Sequence, residues 1–462
     1  MDRISQLPPE ILHQILSLLQ TKTAAQTAVL SKLWLKACYT NPHLNFDQFD
    51  FYTSSDESDF DTSDDESDDE AEIEPRHSDS FYESHVEFSR MVDSILERYR
   101  RENLPISDFN LRISFSDQTD CEGLVDKWLD IITETRASQV TLLVESKTED
   151  YSERYTLLAD SIFAIESLQQ LELNHCKILK RRTLLSEDEI RFATACRNLR
   201  RVEFVEAGID DMFLFELIPK LHFIKELMLQ FCEYLKEINI SSSTLEVCSI
   251  VKCDLLVQAI FDTPKLLSLA FSKQCKLPCL SFISASSQCR ISIKYDTIMD
   301  TEQLMNLRRS LVELRDQVVD LTLPSIDKDL RLASKIDHLP PPEVENLSSY
   351  CPNSAYSSYF DLIFSICWPK SWIIQYCDED FGEYLRKLLL KEKERRWRFI
   401  ECTWKEYLMN AEIEYKKRTR NDWMTLDRKM LAADSRIFDE INTMCFKQTQ
   451  RREKHKYSCI SR

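Results

Sequence analysis

Residues 224–232 read IKELMLQFC, and two other stretches follow the same pattern: LQQLELNHC at 168–176 and LEVCSIVKC at 245–253. In each stretch an apolar residue or cysteine occupies the first, fourth and sixth positions, and a cysteine occupies the ninth. The middle of each stretch alternates with period two, which predicts one short β-strand with a buried face. The closing cysteine predicts a residue that turns inward and packs in a core.

The same pattern recurs along the chain. Residues 199–207 form a further copy, and a looser one starts at 266, so that the starts at 224, 245 and 266 are 21 residues apart. This spacing lies inside the range of about 20–29 residues that is typical of leucine-rich repeats. Weaker copies lie at 109–113, 140–142, 291–293 and 319–323, and helical stretches lie between strands at 188–196 and 211–221. Because one repeat cannot bury its own face, neighbouring repeats must stack. We therefore predict an irregular solenoid over 81–337, with a broad surface that binds protein or peptide.

Composition excludes several functional classes. The chain has 462 residues, a formal net charge of −19, and only three glycines. These glycines are too far apart to build a dinucleotide fingerprint or a P-loop. No apolar run reaches the roughly 18–20 residues of a membrane span. The sixteen cysteines include no C-x-x-C pair, and no signal peptide is visible. We therefore predict reduced core cysteines and a protein of the cytoplasm, the nucleus or both, with no cofactor and no metal site.

The first forty-six residues carry apolar residues at helical spacing. Pro8 and Pro9 mark a helix start, and Glu10 favours the positive end of the helix dipole. Apolar residues then occupy positions 11, 12, 15, 16 and 19, which form a wide stripe on one short helix. Thr23 and Ser31 are caps for a second and a third helix. So short a bundle buries little apolar surface, and we therefore expect it to contact a partner.

The order of residues in this stretch, LPPEILHQILSLL followed by TKTAAQTAVLSKLW, resembles the F-box, and closely resembles the version common in plants. The resemblance covers Asp2 to about Phe49. It implies docking on a Skp-type adaptor, which joins an F-box protein to a cullin and a ubiquitin-conjugating enzyme. The sequence departs from the plant pattern at Gln20, usually proline, and at Leu33, usually basic. The resemblance assigns adaptor binding to nine residues, Leu7, Pro8, Ile11, Leu12, Ile15, Leu16, Val29, Leu30 and Trp34.

Residues 47–80 differ sharply from the rest of the chain. From 47 to 74 there are fourteen acidic and no basic residues, interleaved with serine and threonine. Such a block cannot collapse, which predicts a disordered linker. An acidic residue lies three positions after each of Ser54, Ser58, Thr62, Ser63 and Ser67, the pattern that acidophilic kinases favour. A solvated spacer is the simpler interpretation, and contact with the basic tail of the chain is the alternative.

The last part of the chain is rich in tryptophan and basic residues. Residues 338–353 contain three consecutive prolines, which predict a loop. In 354–462 we predict a long amphipathic helix from Lys391 to Lys417, and residues 386–462 have nine more basic than acidic side chains. This region resembles the C-terminal region of some plant F-box proteins with repeats. The basic clusters at 416–420 and 451–456 could touch phosphates, but the net charge and interleaved acids argue against a nucleic-acid partner.

No catalytic constellation is present among the sequence motifs. There is no H-E-x-x-H and no G-x-S-x-G, and the adjacent His175 and Cys176 would point to opposite faces of a strand. The sequence thus predicts an α/β protein with an N-terminal three-helix F-box, an irregular leucine-rich-repeat solenoid and a helical C-terminal segment. It predicts a non-catalytic substrate-recognition subunit of a Skp–cullin–F-box ubiquitin ligase, whose target protein is unknown. A scaffold or regulatory binding protein that uses the F-box outside a ligase is the alternative.

Overall fold

The structure is a computed structural model that describes residues 7–19, 21–51, 76–115, 123–146, 154–179, 196–273, 277–285, 289–324, 340–352, 354–391, 404–426 and 441–448. The chain divides into two compact units, one formed by 1–247 with 260–265 and the other by 248–259 with 266–462. Both units are mixed α/β, and both are built around parallel strands.

The first unit begins with three short helices and continues as strands alternating with helices. Its helices are α1 (Pro9–Ser17), α2 (Thr21–Thr27), α3 (Lys32–Tyr39), α4 (Arg76–Glu102), α5 (Leu124–Thr135), α6 (Ala159–Phe163) and α7 (Asp211–Leu217). Its strands are β1 (His43–Asp47), β2 (Asp108–Phe115), β3 (Gln139–Ser146), β4 (Thr156–Leu158), β5 (Gln170–Asn174), β6 (Lys177–Leu179), β7 (Arg201–Val205), β8 (Glu226–Gln230) and β9 (Glu237–Ser241). Strands β1, β2, β3, β5, β7 and β8 form consecutive parallel pairs.

Strands β10 (Val247–Val251) and β11 (Gln258–Thr263) span the boundary between the units. The second unit continues with β12 (Ser268–Lys273), β13 (Cys279–Ala285), β14 (Arg290–Tyr295), β15 (Val318–Leu323), β16 (Glu343–Tyr350), β17 (Trp368–Gln375), β18 (Ala411–Lys417), β19 (Met424–Thr425) and β20 (Ile441–Gln448). Its helices are α8 (Thr301–Glu313), α9 (Tyr356–Ile366), α10 (Glu379–Lys391) and α11 (Trp404–Asn410). Strands β12, β14, β15, β16 and β17 are parallel, and β20, β18 and β19 then extend the sheet with antiparallel pairs.

The repeat pattern has a simple backbone explanation. A residue in the left-handed region follows each of the strands β5, β7, β8, β10 and β17, and these residues are His175, Glu206, Phe231, Lys252 and Tyr376. The left-handed turn brings the next side chain inward, and that residue is a buried cysteine or alanine in every case. The strained backbone is held by its neighbours, since the amide of Glu206 donates to the carbonyl of Gln230 at 2.8 Å. The regular cysteine is therefore a packing residue of this turn.

Parallel strands continue where the sequence predicts a loop. The prediction of a loop over 338–353 is wrong for residues 343–350, which form β16 between β15 and β17. The prolines at 340–342 exclude a helix, but they end before the strand begins and remove no hydrogen bond from it.

Strand β16 is anchored in the core of the second unit. The buried Ser349 accepts hydrogen bonds from the Tyr359 hydroxyl at 2.7 Å and from the Trp372 indole N–H at 2.9 Å. Tyr359 has a second acceptor, the carbonyl of Tyr350 at 3.1 Å. A single serine hydroxyl thus ties β16 to α9 and β17.

The prediction of a long C-terminal helix from Lys391 to Lys417 is wrong for its last seven residues. Helix α10 ends at Lys391, α11 covers 404–410, and residues 411–417 form β18. Ala411 and Tyr415 fit a helical period, but the buried Ile413 between them follows period two. The C-terminal region is therefore mixed α/β and not simply helical. Residues 392–403, which include Trp397, lie outside the described residues.

The boundaries of the predicted acidic linker change at both ends. Asp47 ends β1, residues 48–51 form a 3-10 turn, and α4 starts at Arg76. Residues 52–75 lie outside the part of the chain that the structure describes, as do most of 188–196. The helix predicted from 211 is present as α7.

Candidate functional site

The N-terminal helices pack around a small apolar core. Leu12 and Leu16 of α1 and Trp34 and Ala37 of α3 are buried against one another. Helix α3 begins at a standard cap, since the Ser31 hydroxyl accepts a hydrogen bond from the amide of Trp34 at 3.3 Å. Six partly buried residues complete the cluster: Leu7, Ile15, Leu19, Ala24, Leu33 and Cys38.

The nine residues to which the F-box resemblance assigns adaptor binding fall into three groups. Leu12, Leu16 and Trp34 are buried in the core of the helices, so their side chains support the module from within. Leu7 and Ile15 are partly buried against that core. The remaining four, Pro8, Ile11, Val29 and Leu30, are exposed.

Several apolar side chains of α1, of α3 and of the turn after α2 are strongly exposed. Val29 is 87% exposed, Leu30 is 62% exposed and Leu18 is 85% exposed. Leu35 also reaches solvent. The F-box resemblance does not assign adaptor binding to Leu18 or Leu35, although Leu18 lies within the stretch that carries it. We refer to Pro8, Ile11, Leu18, Val29, Leu30 and Leu35 as the exposed N-terminal set.

A cleft of about 530 Å³ lies between the N-terminal helices and the first strands. Its apolar wall includes Ala28 and Leu35, and its polar wall includes Asn45 and Asn110. In the same cleft the ring nitrogen of His43 contacts the Asp108 carboxylate. The cleft lies at the junction between the helices and the repeats, because β1 follows α3 directly and pairs with β2.

Two aromatic residues and one arginine brace this junction. The Arg98 guanidinium lies 4.7 Å from the ring centre of Tyr39 and 5.3 Å from that of Tyr99. The Tyr99 hydroxyl donates to the carbonyl of Asn41 at 2.6 Å, and burial raises the pKa of Tyr99 to about 12. Tyr99 is therefore a neutral structural donor at physiological pH and not an acid or base catalyst.

The second candidate surface is the face of the first unit's parallel strands that points away from the core. Arg112 of β2 forms an ion pair with Glu145 of β3 at 3.2 Å. Further along the parallel strands, Arg201 of β7 pairs with Glu203 of the same strand at 3.0 Å and with Glu226 of β8 at 3.3 Å. The hydrogen bond to Glu203 holds the pKa of Arg201 above its usual value. Residues at alternating strand positions thus form a charged, mutually paired surface, which suits binding of another protein.

Three buried cysteines of the repeat region, Cys176, Cys196 and Cys289, are not poised for chemistry. Burial raises the pKa of Cys176 and of Cys196 to about 12, and that of Cys289 to about 11. A thiol with such a pKa stays protonated and is a poor nucleophile or metal ligand. Within the described ranges, no group of three or more histidine, cysteine, aspartate or glutamate side chains could hold a metal ion.

Comparisons with known proteins agree with this architecture. A family model described as "At1g61320/AtMIF1, LRR domain" matches residues 95–339, and an F-box domain model matches residues 4–44. The first of these covers more than half of the chain. The chain belongs to the F-box proteins with leucine-rich repeats. In this F-box protein the parallel strands continue beyond the matched repeat region, through β16 and β17.

Several proteins of Arabidopsis thaliana are similar to this F-box protein. "Putative F-box protein At3g58860" is 28% identical over 273 residues, which cover 59% of this chain and 51% of that protein. "F-box/LRR-repeat protein At3g58940" is 31% identical over 179 residues, or 38% and 25% of the two chains. "Putative F-box/FBD/LRR-repeat protein At4g13965" is 55% identical over 49 residues, or 11% and 12%. The chain thus spans about half or less of the length of these curated relatives.

Among the helices that the structure describes, none is long and apolar enough to cross a membrane.

Proposed function

We propose that this protein is the substrate-recognition subunit of a Skp–cullin–F-box ubiquitin ligase. F-box domains generally bind Skp1-type adaptors, and the F-box family model covers the helices that carry the exposed N-terminal set. The observation that carries the proposal is the exposure of Val29 and Leu30, two apolar side chains in the turn after α2 that make little contact within the folded protein. Burial against an adaptor would remove their apolar surface from water.

The residues of the F-box then have two distinct roles. Pro8, Ile11, Leu18, Val29, Leu30 and Leu35 would contact the adaptor, because their side chains reach solvent. Leu12, Leu16 and Trp34 would act indirectly, because they fix the relative positions of α1 and α3. Truncating a residue of the first group should weaken binding without unfolding, whereas truncating one of the second group should unfold the module.

The repeats would hold the target protein. Their strands present alternating polar and charged side chains on one face, and such surfaces bind other proteins. The rate gain would come from the high effective concentration of the target near the conjugating enzyme, with no chemistry performed by this chain. The adaptor would connect this chain to the cullin, and the repeats would bind the target.

Affinity purification of the tagged full chain from plant cells, with ubiquitin conjugation inhibited, tests the proposal. We expect the adaptor and a cullin to be recovered together with one or more accumulating targets. The variant with Val29→Ala and Leu30→Ala should recover the targets but lose both adaptor and cullin. Recovery of the adaptor without any cullin, and with no target that accumulates, would instead support a scaffold that acts outside a ligase.

A further inference from the structure

The second unit has a strongly basic cavity at the end of its antiparallel strands. This cavity of about 560 Å³ lies where β17 and β18 end and β20 begins, next to the turn at 418–423. Of the eleven residues that line it, four are cationic, Lys416, Lys417, Arg418 and Arg420, and none is acidic. We refer to this cavity as the hairpin cavity.

Strand register brings polar groups from three strands into one row on its floor. Gln375 of β17 pairs with Thr443 of β20, and Thr443 in turn pairs with Lys416 of β18. Directly paired residues of antiparallel strands point to the same face of a sheet. An amide, a hydroxyl and an ammonium group therefore lie side by side, and this face is opposite to the one that buries Ile374 and Met444.

No ion pair among the described residues neutralises Lys416, Arg418 or Arg420 of this cavity. The nearest acid on the same face of β18, Glu414, is already paired with Lys447 at 2.6 Å. Arg418 and Arg420 are exposed, and neither forms an ion pair within the part of the chain that the structure describes. Asp422 belongs to the same turn, but it does not line the cavity. These three cations around one cavity create a strong local attraction for an anion.

One of these cations is held in a fixed position. The Lys416 ammonium lies 4.7 Å from the ring centre of Trp423 and donates a hydrogen bond to the Asn421 side-chain oxygen at 3.1 Å. Both contacts restrict a side chain that would otherwise be flexible. A restricted cation loses less entropy when a ligand binds, which favours specific recognition over diffuse attraction.

The side chains that line the cavity favour some anions over others. Arginine guanidinium groups match the oxygens of a phosphate in a bidentate manner, and a phosphoryl group also accepts hydrogen bonds from amides and hydroxyls. Bases of a nucleic-acid strand would need free aromatic faces, but Trp423 is the single aromatic residue in the cavity and already contacts Lys416. A long polyanion would also be repelled by the net charge of −19, whereas a short phosphorylated segment would contact the cavity alone.

We propose that the hairpin cavity binds a phosphorylated, acidic segment of a partner protein. The phosphoryl group would lie among Lys416, Arg418 and Arg420, and Gln375 and Thr443 would donate hydrogen bonds to its oxygens. This proposal rests on the proposed function in one respect, since the partner would then be the target that the ligase modifies. Binding of the segment itself does not require the adaptor.

Fluorescence anisotropy with the purified full chain tests the proposal. The probes are a short labelled peptide with two phosphoserines among acidic residues, its unphosphorylated twin, and a single-stranded RNA of the same length. We expect the phosphopeptide to bind at least about tenfold more tightly than either of the others, with an affinity that falls as salt is added. Tighter binding of the RNA, or no binding of the phosphopeptide, would overturn the proposal.

Two matched variants locate the binding site. Replacing Arg418 and Arg420 by glutamine should weaken phosphopeptide binding by about tenfold or more, and replacing them by lysine should restore part of it. Replacing Arg309 and Arg315 by glutamine removes the same charge from exposed positions outside the cavity and should change affinity by less than about twofold. Equal losses in both glutamine variants would show that the attraction is diffuse, and would overturn the site.

Failure of this inference is distinguishable from failure of the proposed function. The peptide measurement contains no adaptor, so a protein that docks no adaptor can still bind the phosphopeptide. Thermal melting of each variant provides the folding control. Because the substituted arginines are exposed, we expect the melting temperatures to be unchanged.

Discussion

Replacing Val29 and Leu30 together by alanine removes apolar surface from the exposed N-terminal set while leaving its backbone intact. Val29→Ala deletes two methyl groups and Leu30→Ala deletes three carbons, each worth about 0.8 kcal/mol when buried. Scaled by their exposed fractions of 87% and 62%, the two truncations remove about 1.4 and about 1.5 kcal/mol of docking free energy. The sum of about 3 kcal/mol predicts that the Kd for a Skp-type adaptor rises by roughly a hundredfold.

Isothermal titration of the purified adaptor into the full chain measures this change directly. The same truncations at Leu255 and Val257, which are 55% and 66% exposed, form a matched control that should leave the Kd unchanged. Neither pair should alter the free energy of unfolding by more than about 0.5 kcal/mol, because the deleted atoms are largely solvated in the folded chain. A rise in Kd of less than about threefold for the Val29 and Leu30 variant, in a protein that remains folded, would refute the assignment of these side chains to the interface.

Three further predictions concern the fold that supports these surfaces. Ser349→Ala leaves the buried indole N–H of Trp372 without its acceptor and should destabilise the second unit by about 2 kcal/mol. Ser348→Ala, on the other face of β16, should have little effect on stability. Tryptophan fluorescence during urea unfolding compares the two variants. Trp34→Ala should cost about 3–5 kcal/mol and unfold the F-box helices, so that adaptor binding is lost together with helical circular dichroism. Near pH 8 the exposed Cys279 should react with iodoacetamide in the native protein. The raised pKa of Cys176, about 12, leaves only about one in ten thousand of its thiols ionised, so Cys176 should react only after unfolding. Peptide mass mapping distinguishes the two sites.

Period-two patterns predicted the strands of the repeats well. Residues 168–176 and 224–232 carry both signals of a repeat, the alternating strand and the inward cysteine, and the structure has β5 and β8 there. The same signals mark β17, where Trp372 and Ile374 alternate and Cys377 follows the left-handed Tyr376. This copy is hard to recognise in the sequence, because Trp368 and Trp372 are four residues apart, a spacing that fits both a helix and a strand.

The F-box surface was harder to predict from sequence. Helix α1 has a wide apolar stripe, so periodicity alone cannot distinguish the part that packs on α3 from the part that reaches solvent. Only packing in three dimensions places Leu12 inside and Ile11 outside. The basic cluster at 416–420 is visible in the sequence, but the hairpin cavity is not, since the rest of its lining comes from β17 and β20, which are far apart in sequence.

The most direct test of the central claim is whether the purified full chain forms a complex with a Skp-type adaptor. Size-exclusion chromatography with light scattering gives the mass of whatever elutes. We predict a single one-to-one complex for the natural sequence, and separate adaptor and receptor peaks for the Val29→Ala and Leu30→Ala variant at the same concentration. A folded natural chain that elutes apart from the adaptor would contradict the account.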